Sequence, residues 1–356
     1  AVLVADTAAL HGDSNGVIDM LIAPDDSTVV EAVTATDDTI LVTMLENVRG
    51  KIYRYNPGPE GNWKRSLVNF PDNGSLQITS TDDASGNFFA KFESFTSPPA
   101  LYHVAAGDWQ PQKMKSQDPT FDGSRYQTEQ YFATSKDGTR VPYFVVLARD
   151  TERNGKNPTH IFSYGGFRNS LTPSYSGSYE QLYGAYGKLW LNRGGVFVLA
   201  NIRGGGEFGP AWHAAALKEN KVRSYEDFEA VAEDLITRNI TSPKHLGIEG
   251  RSNGGLLVGA TMTRRPDLYG AVICGVPLLD MKRYHKLLAG ASWMAEFGDP
   301  DIPEEWSYIK QYSPYHNVKK GVDYPPIFFF GSTRDDRVHP GHGRKMAALL
   351  KDMGQE

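Results

Sequence analysis

The chain has 356 residues, 40% hydrophobic and 22% charged. That is globular composition with material for two domains, and it excludes a mainly disordered or collagen-like chain. A net charge of −5 without a basic run argues against nucleic-acid binding, and a single cysteine, Cys274, excludes an intrachain disulfide. No apolar run reaches the roughly 18 residues that a membrane helix needs, so no membrane partner is expected. The opening AVLVADTAALHG lacks the basic segment of a secretory leader and does not begin with Met, so the natural start is expected to lie elsewhere.

Residues 1 to about 117 read as short antiparallel strands. TILVTML (39–45), KIYRYN (51–56), LQITS, FFAKFES and ALYHVA are β-rich runs punctuated by ENVRG, DNG, SPP and Asp/Ser/Gly clusters. A weak repeat lays residues 39–55 on 88–104. Tyr53 then meets Tyr102, and Ile40–Leu41 meet Phe89–Ala90. A period of roughly 40–50 residues with about four strands per unit suits propeller blades. Two units are too few to close a propeller, and a small antiparallel sandwich is an equal reading.

From about residue 126 the rhythm changes. EQYFATSKDGTRVPYFVVLARD predicts a hairpin turning at Asp137–Gly138. The apolar runs HIFSYGG, VFVLANIRGGG, HLGIEG, AVICGVP and PPIFFFGS then alternate with helical patterns. Phe228, Val231, Ala232, Leu235 and Ile236 recur at helical spacing, as do Met346, Leu349, Leu350 and Met353. This alternation predicts a doubly wound, mainly parallel sheet with its active site at the carboxyl ends of the strands.

One strand end carries chemistry. Gly250-Arg-Ser252-Asn-Gly254 is a G-x-S-x-G between an apolar strand and a helix-compatible stretch stopped by Pro266, which is the setting of a nucleophile elbow. The helix N-terminus behind Ser252 offers free N–H groups to a developing oxyanion. The alternative, a chance match, is cheap in a chain with 36 glycines, and the strand–motif–helix order is what argues against it. A serine nucleophile needs a base and an orienting carboxylate. The strand in PPIFFFGS leads into a loop with Asp335 and Asp336, either of which could serve. The competing reading is a solvated loop paired with Arg334 or Arg337. Gly-rich RGGGEFG lacks the GK[ST] of a phosphate loop and the context of a dinucleotide fingerprint, so no cofactor is expected. No Cys/His cluster has zinc spacing, so no metal is expected either.

The set SYGGF (163–167), NIRGGGEFG (201–209), GRSNGGLL (250–257), RRPDLYGAV (264–272), YSPYHNV (312–318) and DDRV (335–338) resembles the prolyl oligopeptidase family of serine peptidases, from about Glu129 to the end. The resemblance implies an α/β-hydrolase fold preceded by all-β blades of a partial β-propeller. Residues 1–120 are then the C-terminal part of the propeller, and 121–356 a catalytic domain lacking its C-terminal end.

By position, the resemblance makes Ser252 the nucleophile and Asp335, the first acid of DDRV, the triad carboxylate. Tyr164 becomes an oxyanion donor through its hydroxyl, with the backbone N–H of Asn253 as the other. Without the resemblance Tyr164 would read as a core aromatic. Trp293 matches the ring that stacks on a substrate proline. Phe167, Phe297 and Val338 match other pocket walls, and Arg337 an arginine that binds a substrate carbonyl. Phe297 stands where a tyrosine is common, and Leu278 where a smaller wall is usual. Glu296 and Asp299 lie near the pocket, as the related basic-residue-cleaving branch would require.

The family's histidine lies beyond the acid, past the next helix and strand, and none of the nine histidines here fits that place. His339 and His342 follow Asp335 too closely and read as loop histidines at a helix start. The chain is therefore expected to be an internal piece of a longer peptidase, with the histidine beyond residue 356. The expected function is a serine endopeptidase acting on short proline-containing peptides, cleaving after proline through an acyl-enzyme. The alternatives are a basic-residue-cleaving oligopeptidase, an esterase of the same fold, or a catalytically dead binding or scaffold homologue. The sequence leaves the natural peptide, compartment and oligomeric state open.

Overall fold

A strand whose residues are apolar without alternation must be covered on both faces. The strand ILVTMLE does this in the first part of the chain. The computed structural model describes residues 2–5, 18–23, 25–36, 38–59, 62–175 and 189–355. They form two compact units, Ala1–Pro119 with Thr172–Tyr175, and Thr120–Leu171 with Ser176–Glu356.

In the first unit, β1 (Val2–Ala5) pairs antiparallel with β2 (Ile18–Ile22). A four-stranded antiparallel sheet follows, in the order β3 (Thr28–Ala35), β4 (Ile40–Glu46), β5 (Arg49–Pro57), β6 (Trp63–Val68). A second has the same meander: β7 (Gly74–Thr81), β8 (Phe88–Ser94), β9 (Ala100–Val104), β10 (Pro111–Ser116). Leu41 and Ile52 pack in one cluster with Leu76, Phe88, Ala90 and Phe92 of the second sheet. Val42 and Met44 pack with Ile22 in another. The middle sheet is thus buried from both sides, as in stacked blades, and this is why β4 carries apolar residues on both its faces.

The repeat is present with a different register. Ile40 pairs with Tyr55, whereas Phe88 pairs with Val104. Tyr53 and Tyr102 remain equivalent, but Ile40 corresponds to Phe88 and not to Phe89. Between these equivalent pairs the second hairpin holds one residue more than the first. The first turns tightly through Asn47 and Val48, both with positive φ (48° and 67°).

The second unit is built on a seven-stranded sheet. The strands are β11 (Tyr126–Thr134), β12 (Arg140–Ala148), β13 (Thr159–Phe162), β14 (Val196–Ala200), β15 (Leu246–Arg251), β16 (Ala271–Gly275) and β17 (Ile327–Phe330). Their order is β11-β12-β14-β13-β15-β16-β17. The β11–β12 hairpin is antiparallel and β12 meets β14 antiparallel; β14 to β17 are mutually parallel. Every residue of β13 and β14 is buried, so both faces of the sheet centre are covered. From β13 the chain goes to β14 on one side, and later strands extend from β15 on the other. The carboxyl ends of β13 and β15 therefore flank the point where the strand order reverses, the usual place for a ligand site.

Three longer helices cover the sheet: α1 (Val222–Thr237), α2 (Asn253–Arg264) and α3 (Gly341–Asp352). α1 buries Phe228, Val231 and Leu235, the stripe its spacing predicts. At the hairpin turn Gly138 has φ 87° and Asp137 accepts from the buried Arg203, whose guanidinium also grips Asp227 of α1. Arg203 thus turns the Gly-rich loop after β14 into a structural joint. Cys274 is buried and donates its thiol to the Gly255 carbonyl, while burial pushes its pKa above the ordinary value. No helix among the described residues is long and apolar enough to cross a membrane.

Candidate active site

Ser252 is the residue between β15 and α2. Its backbone has φ 57° and ψ −118°, a conformation that strains any residue but glycine by about 1–3 kcal/mol. The surroundings hold it there. Ser252 N–H donates to Gly275 O at 3.0 Å, and Leu256 N–H donates to Ser252 O at 3.1 Å. The turn closes only because its glycines are bare. A Cβ on Gly250 would lie 2.0 Å from the Gly254 carbonyl oxygen, and one on Gly254 would lie 2.9 Å from Ser163 O. The hydroxyl is left half-buried at the head of α2 and does not cap that helix.

Tyr164 lies just past the end of β13, the strand beside β15, and its phenol is close enough to the Ser252 side chain for the serine to act on its pKa. Burial raises the phenol above its ordinary value of 10.0, and the Glu296 charge adds to this, while Ser252 and Arg337 act the other way. Tyr164 therefore keeps its proton and can donate it to an oxyanion. Asn253 opens α2. Its side-chain amide donates to Tyr164 O at 2.5 Å, tying the tyrosine to the helix N-terminus whose N–H groups face the same place.

Asp335 follows β17, with only β16 between it and β15. Adjacent strands lie roughly 4.8 Å apart. Ser252 and Asp335 therefore leave the same end of the sheet, two strands apart. Asp335 Oδ1 accepts the N–H groups of Arg337 (3.0 Å) and Val338 (2.9 Å), so the backbone holds the carboxylate. Asp336 is exposed. Asp335 also lines an apolar cleft of about 230 Å³ with Val276, Pro277, Phe330, Val338 and His339.

None of the described histidines is hydrogen-bonded to Ser252 or Asp335, and His11 lies outside the described residues. His213 bonds Glu296, His245 bonds Ser242, His285 bonds Asp301 and His316 bonds Ser313. His160 faces Glu249, and His103 packs on Phe89. His339 Nδ1 accepts from Gly341 N–H. His342 departs from the loop reading. It lies inside α3, buried, and its Nδ1 accepts the N–H groups of Leu279 and Asp280.

Burial lowers the His342 pKa from 6.5 to about 4, helped by His339 and Lys345 and opposed by Asp280. The unfolded chain takes up this proton at a higher pH than the folded one. His342 thus supports full stability above pH 6.5, and that support is lost as pH falls toward 4, by up to about 3 kcal/mol. His342→Asn keeps an acceptor near Nδ1. Its unfolding free energy should fall less steeply than the parent's between pH 6.5 and 4; parallel curves would refute this.

The residues expected to form a pocket fall into two groups. Trp293, at the end of the 3₁₀ stretch Leu288–Trp293, joins Phe297, Val338 and Leu278 in the buried core of the unit. Phe167 and Arg337 are exposed. The Phe167 ring meets Phe297 edge-on at 5.7 Å, and Ala289 N–H donates to Arg337 O at 3.2 Å, so the DDRV loop is tied to the stretch that carries Trp293. Glu296 points inward to a salt bridge with Lys221 at 2.8 Å. Burial alone would raise its carboxyl, but Lys221, His213 and the Phe167 N–H hold it below the ordinary value. Asp299 accepts from the Asp301 N–H. His285, Asp299 and Asp301 bring ligand-type atoms together, but Lys286 already supplies a cation 2.7 Å from Asp301.

Sequence reasoning did not find Lys221, His213 or Glu207. Glu207, in the Gly-rich loop, is buried and accepts from Leu171 N–H and the Asn201 amide, and burial pushes its carboxyl up to about 7. A lysine or glutamate in a polar-looking segment carries no mark of burial in one sequence.

Comparison with known proteins bears on the family and the fold. The family model for the prolyl oligopeptidase family matches residues 184–356, and that for the prolyl oligopeptidase N-terminal β-propeller domain matches residues 8–117. An uncharacterized peptidase of Sinorhizobium fredii is 48% identical over 94% of this chain and 45% of its own length. A prolyl endopeptidase of Elizabethkingia meningoseptica is 39% identical over 80% of this chain and 39% of its own. The solved structure of a post-proline cleaving enzyme from Rickettsia typhi superposes with a TM-score of 0.82 at 37% identity, covering 95% of this chain and 48% of that one. The chain thus spans less than half the length of these relatives. With its blade-like sheets, its α/β-hydrolase sheet and a serine at the nucleophile elbow, the chain belongs to the prolyl oligopeptidase family of serine peptidases.

Proposed function

We propose that this chain carries the nucleophile, acid and oxyanion donors of a serine endopeptidase that hydrolyses short peptides on the carboxyl side of proline. The observation that carries the reading is Ser252, held in a strained elbow at the strand-order reversal, with Tyr164 tied to the adjoining helix start by the Asn253 amide. In the reaction, Ser252 Oγ attacks the carbonyl carbon of the proline residue while a histidine takes its proton. That histidine is assigned to sequence beyond residue 356, and Asp335 orients it. The carbonyl oxygen becomes an oxyanion that receives hydrogen bonds from Tyr164 and the Asn253 N–H. Two such donors contribute roughly 3 kcal/mol each. Collapse expels the amine, which takes the proton from the imidazolium, and water then hydrolyses the acyl-enzyme by the same steps in reverse.

Proline at the cleavage position is supported by the match of Trp293, Phe167 and Phe297 to the aromatic wall that the family resemblance sets against a proline ring, since a rigid ring gives up little entropy against a flat wall. A basic residue there would need a free carboxylate, and Glu296 is engaged by Lys221. The test compares matched reporter peptides with proline, alanine or arginine before the cleaved bond, using the intact protein in which residues 1–356 continue into the base-bearing segment. The expected order is proline over alanine, with arginine negligible. Trp293→Ala should lose about 10–100-fold on proline and only a few-fold on alanine. Equal losses would make Trp293 a packing residue, and efficient cleavage after arginine would contradict the proline reading.

A further inference from the structure

The turn that presents Tyr164 is strained. Gly165, Phe167 and Arg168 have φ of 62°, 56° and 55°, and two of the three are not glycine. Side-chain bulk at positive φ persists only where the surroundings over-determine it. Here they do so with buried charge. Lys221 Nζ donates to Gly165 O at 2.9 Å, and Phe167 N–H donates to Glu296 Oε1 at 3.1 Å. Lys221 and Glu296 meet at 2.8 Å with side-chain exposures of only 1% and 4%, and His213 Nε2 bonds the other carboxylate oxygen at 2.8 Å. Ser224 Oγ makes a longer contact with Gly165 O, at 3.5 Å.

A buried ion pair is weak as a source of stability, because desolvation offsets its attraction. What it does supply is direction. One partner holds a carbonyl and the other an N–H on either side of Gly166, where a Cβ would lie 2.6 Å from the Asn253 amide. The same pair reaches the candidate pocket. Glu296 precedes Phe297 in sequence, the Lys221 ammonium lies 5.5 Å from the Phe297 ring, and Phe297 meets Phe167 edge-on.

We propose that Lys221 and Glu296 are positioning residues that hold the Gly165–Arg168 turn, so that the Tyr164 hydroxyl stays aimed at the oxyanion formed at Ser252. This rests on the peptidase reading above. The pair touches no substrate atom and acts through Tyr164, so its loss should appear in kcat more than in KM.

The experiment uses the intact protein and a proline reporter peptide. Glu296→Gln removes the charge. Glu296→Asp keeps a counter-charge for the buried lysine, and so keeps the fold, but is one methylene too short to reach Phe167 N–H. Each should lower kcat about 10–100-fold with KM within about threefold. Tyr164→Phe alone should lower kcat about 10²–10³-fold. Adding Glu296→Asp to Tyr164→Phe should cost less than about threefold more, because the hydroxyl it positions is gone. Unchanged kcat in Glu296→Asp, or fully multiplicative losses in the double variant, would overturn the proposal while leaving an active parent. An inactive parent would instead overturn the peptidase reading, and this proposal with it.

Discussion

Ser252→Ala in the intact protein is expected to lower turnover by about 10⁶-fold without loosening the fold. The size of the effect follows from what is removed. In the proposed reaction Oγ is the atom that bonds to the substrate carbonyl, and no other described side chain at the elbow offers a nucleophile. The small structural effect follows from the geometry. Ser252 sits at φ 57° on backbone hydrogen bonds to Gly275 and Leu256, and its hydroxyl does not cap α2. Alanine meets the same backbone strain and keeps both bonds. The thermal midpoint should therefore stay within a degree or two, by the usual scale for small surface changes. Near-parental turnover in this variant would remove Ser252 from the chemistry.

The second large effect is expected at Asp335. Asp335→Asn should lower turnover by about 10⁴-fold, because a neutral amide neither stabilises an imidazolium nor keeps the imidazole in the tautomer that accepts the serine proton. The fold should survive, since the asparagine carbonyl oxygen can still accept the N–H groups of Arg337 and Val338. Asp336 is exposed, and Asp336→Asn should stay within about threefold of the parent. Steady-state assays of the two variants on one reporter peptide decide between the acids. The reverse ranking would place the carboxylate at Asp336.

The elements that build the site were legible in the sequence because each is a short apolar run ending in small or polar residues. β13, β15, β16 and β17 are such runs, and their ends carry Tyr164, Ser252, Cys274 and the DDRV loop. The strands that escaped notice are sheet edges. β6 (WKRSLV) and β10 (PQKMKS) expose their lysines and arginines, and charge on an edge strand discourages pairing with another chain but hides the strand from an apolar pattern. The one-residue register difference between the repeated sheets was out of reach for a related reason. It depends on the length of a connection, which an ungapped overlay cannot represent. The support behind the oxyanion turn was also out of reach. Lys221 and Glu296 lie 75 residues apart and look like ordinary surface charges until the fold buries them together. Family resemblance chose Asp335 over Asp336; the structure adds the physical difference, a carboxylate held by two backbone N–H groups beside one that is exposed.

The most direct measurement is active-site labelling of the intact protein with a fluorophosphonate, followed by mapping of the adduct by mass spectrometry. Fluorophosphonates react with a serine only where a base and an oxyanion site activate it, so the adduct reports nucleophile and surroundings together. The account predicts one adduct, on Ser252, formed with loss of peptidase activity and absent from Ser252→Ala. An adduct on another residue, or full peptidase activity in protein labelled at Ser252, would contradict it.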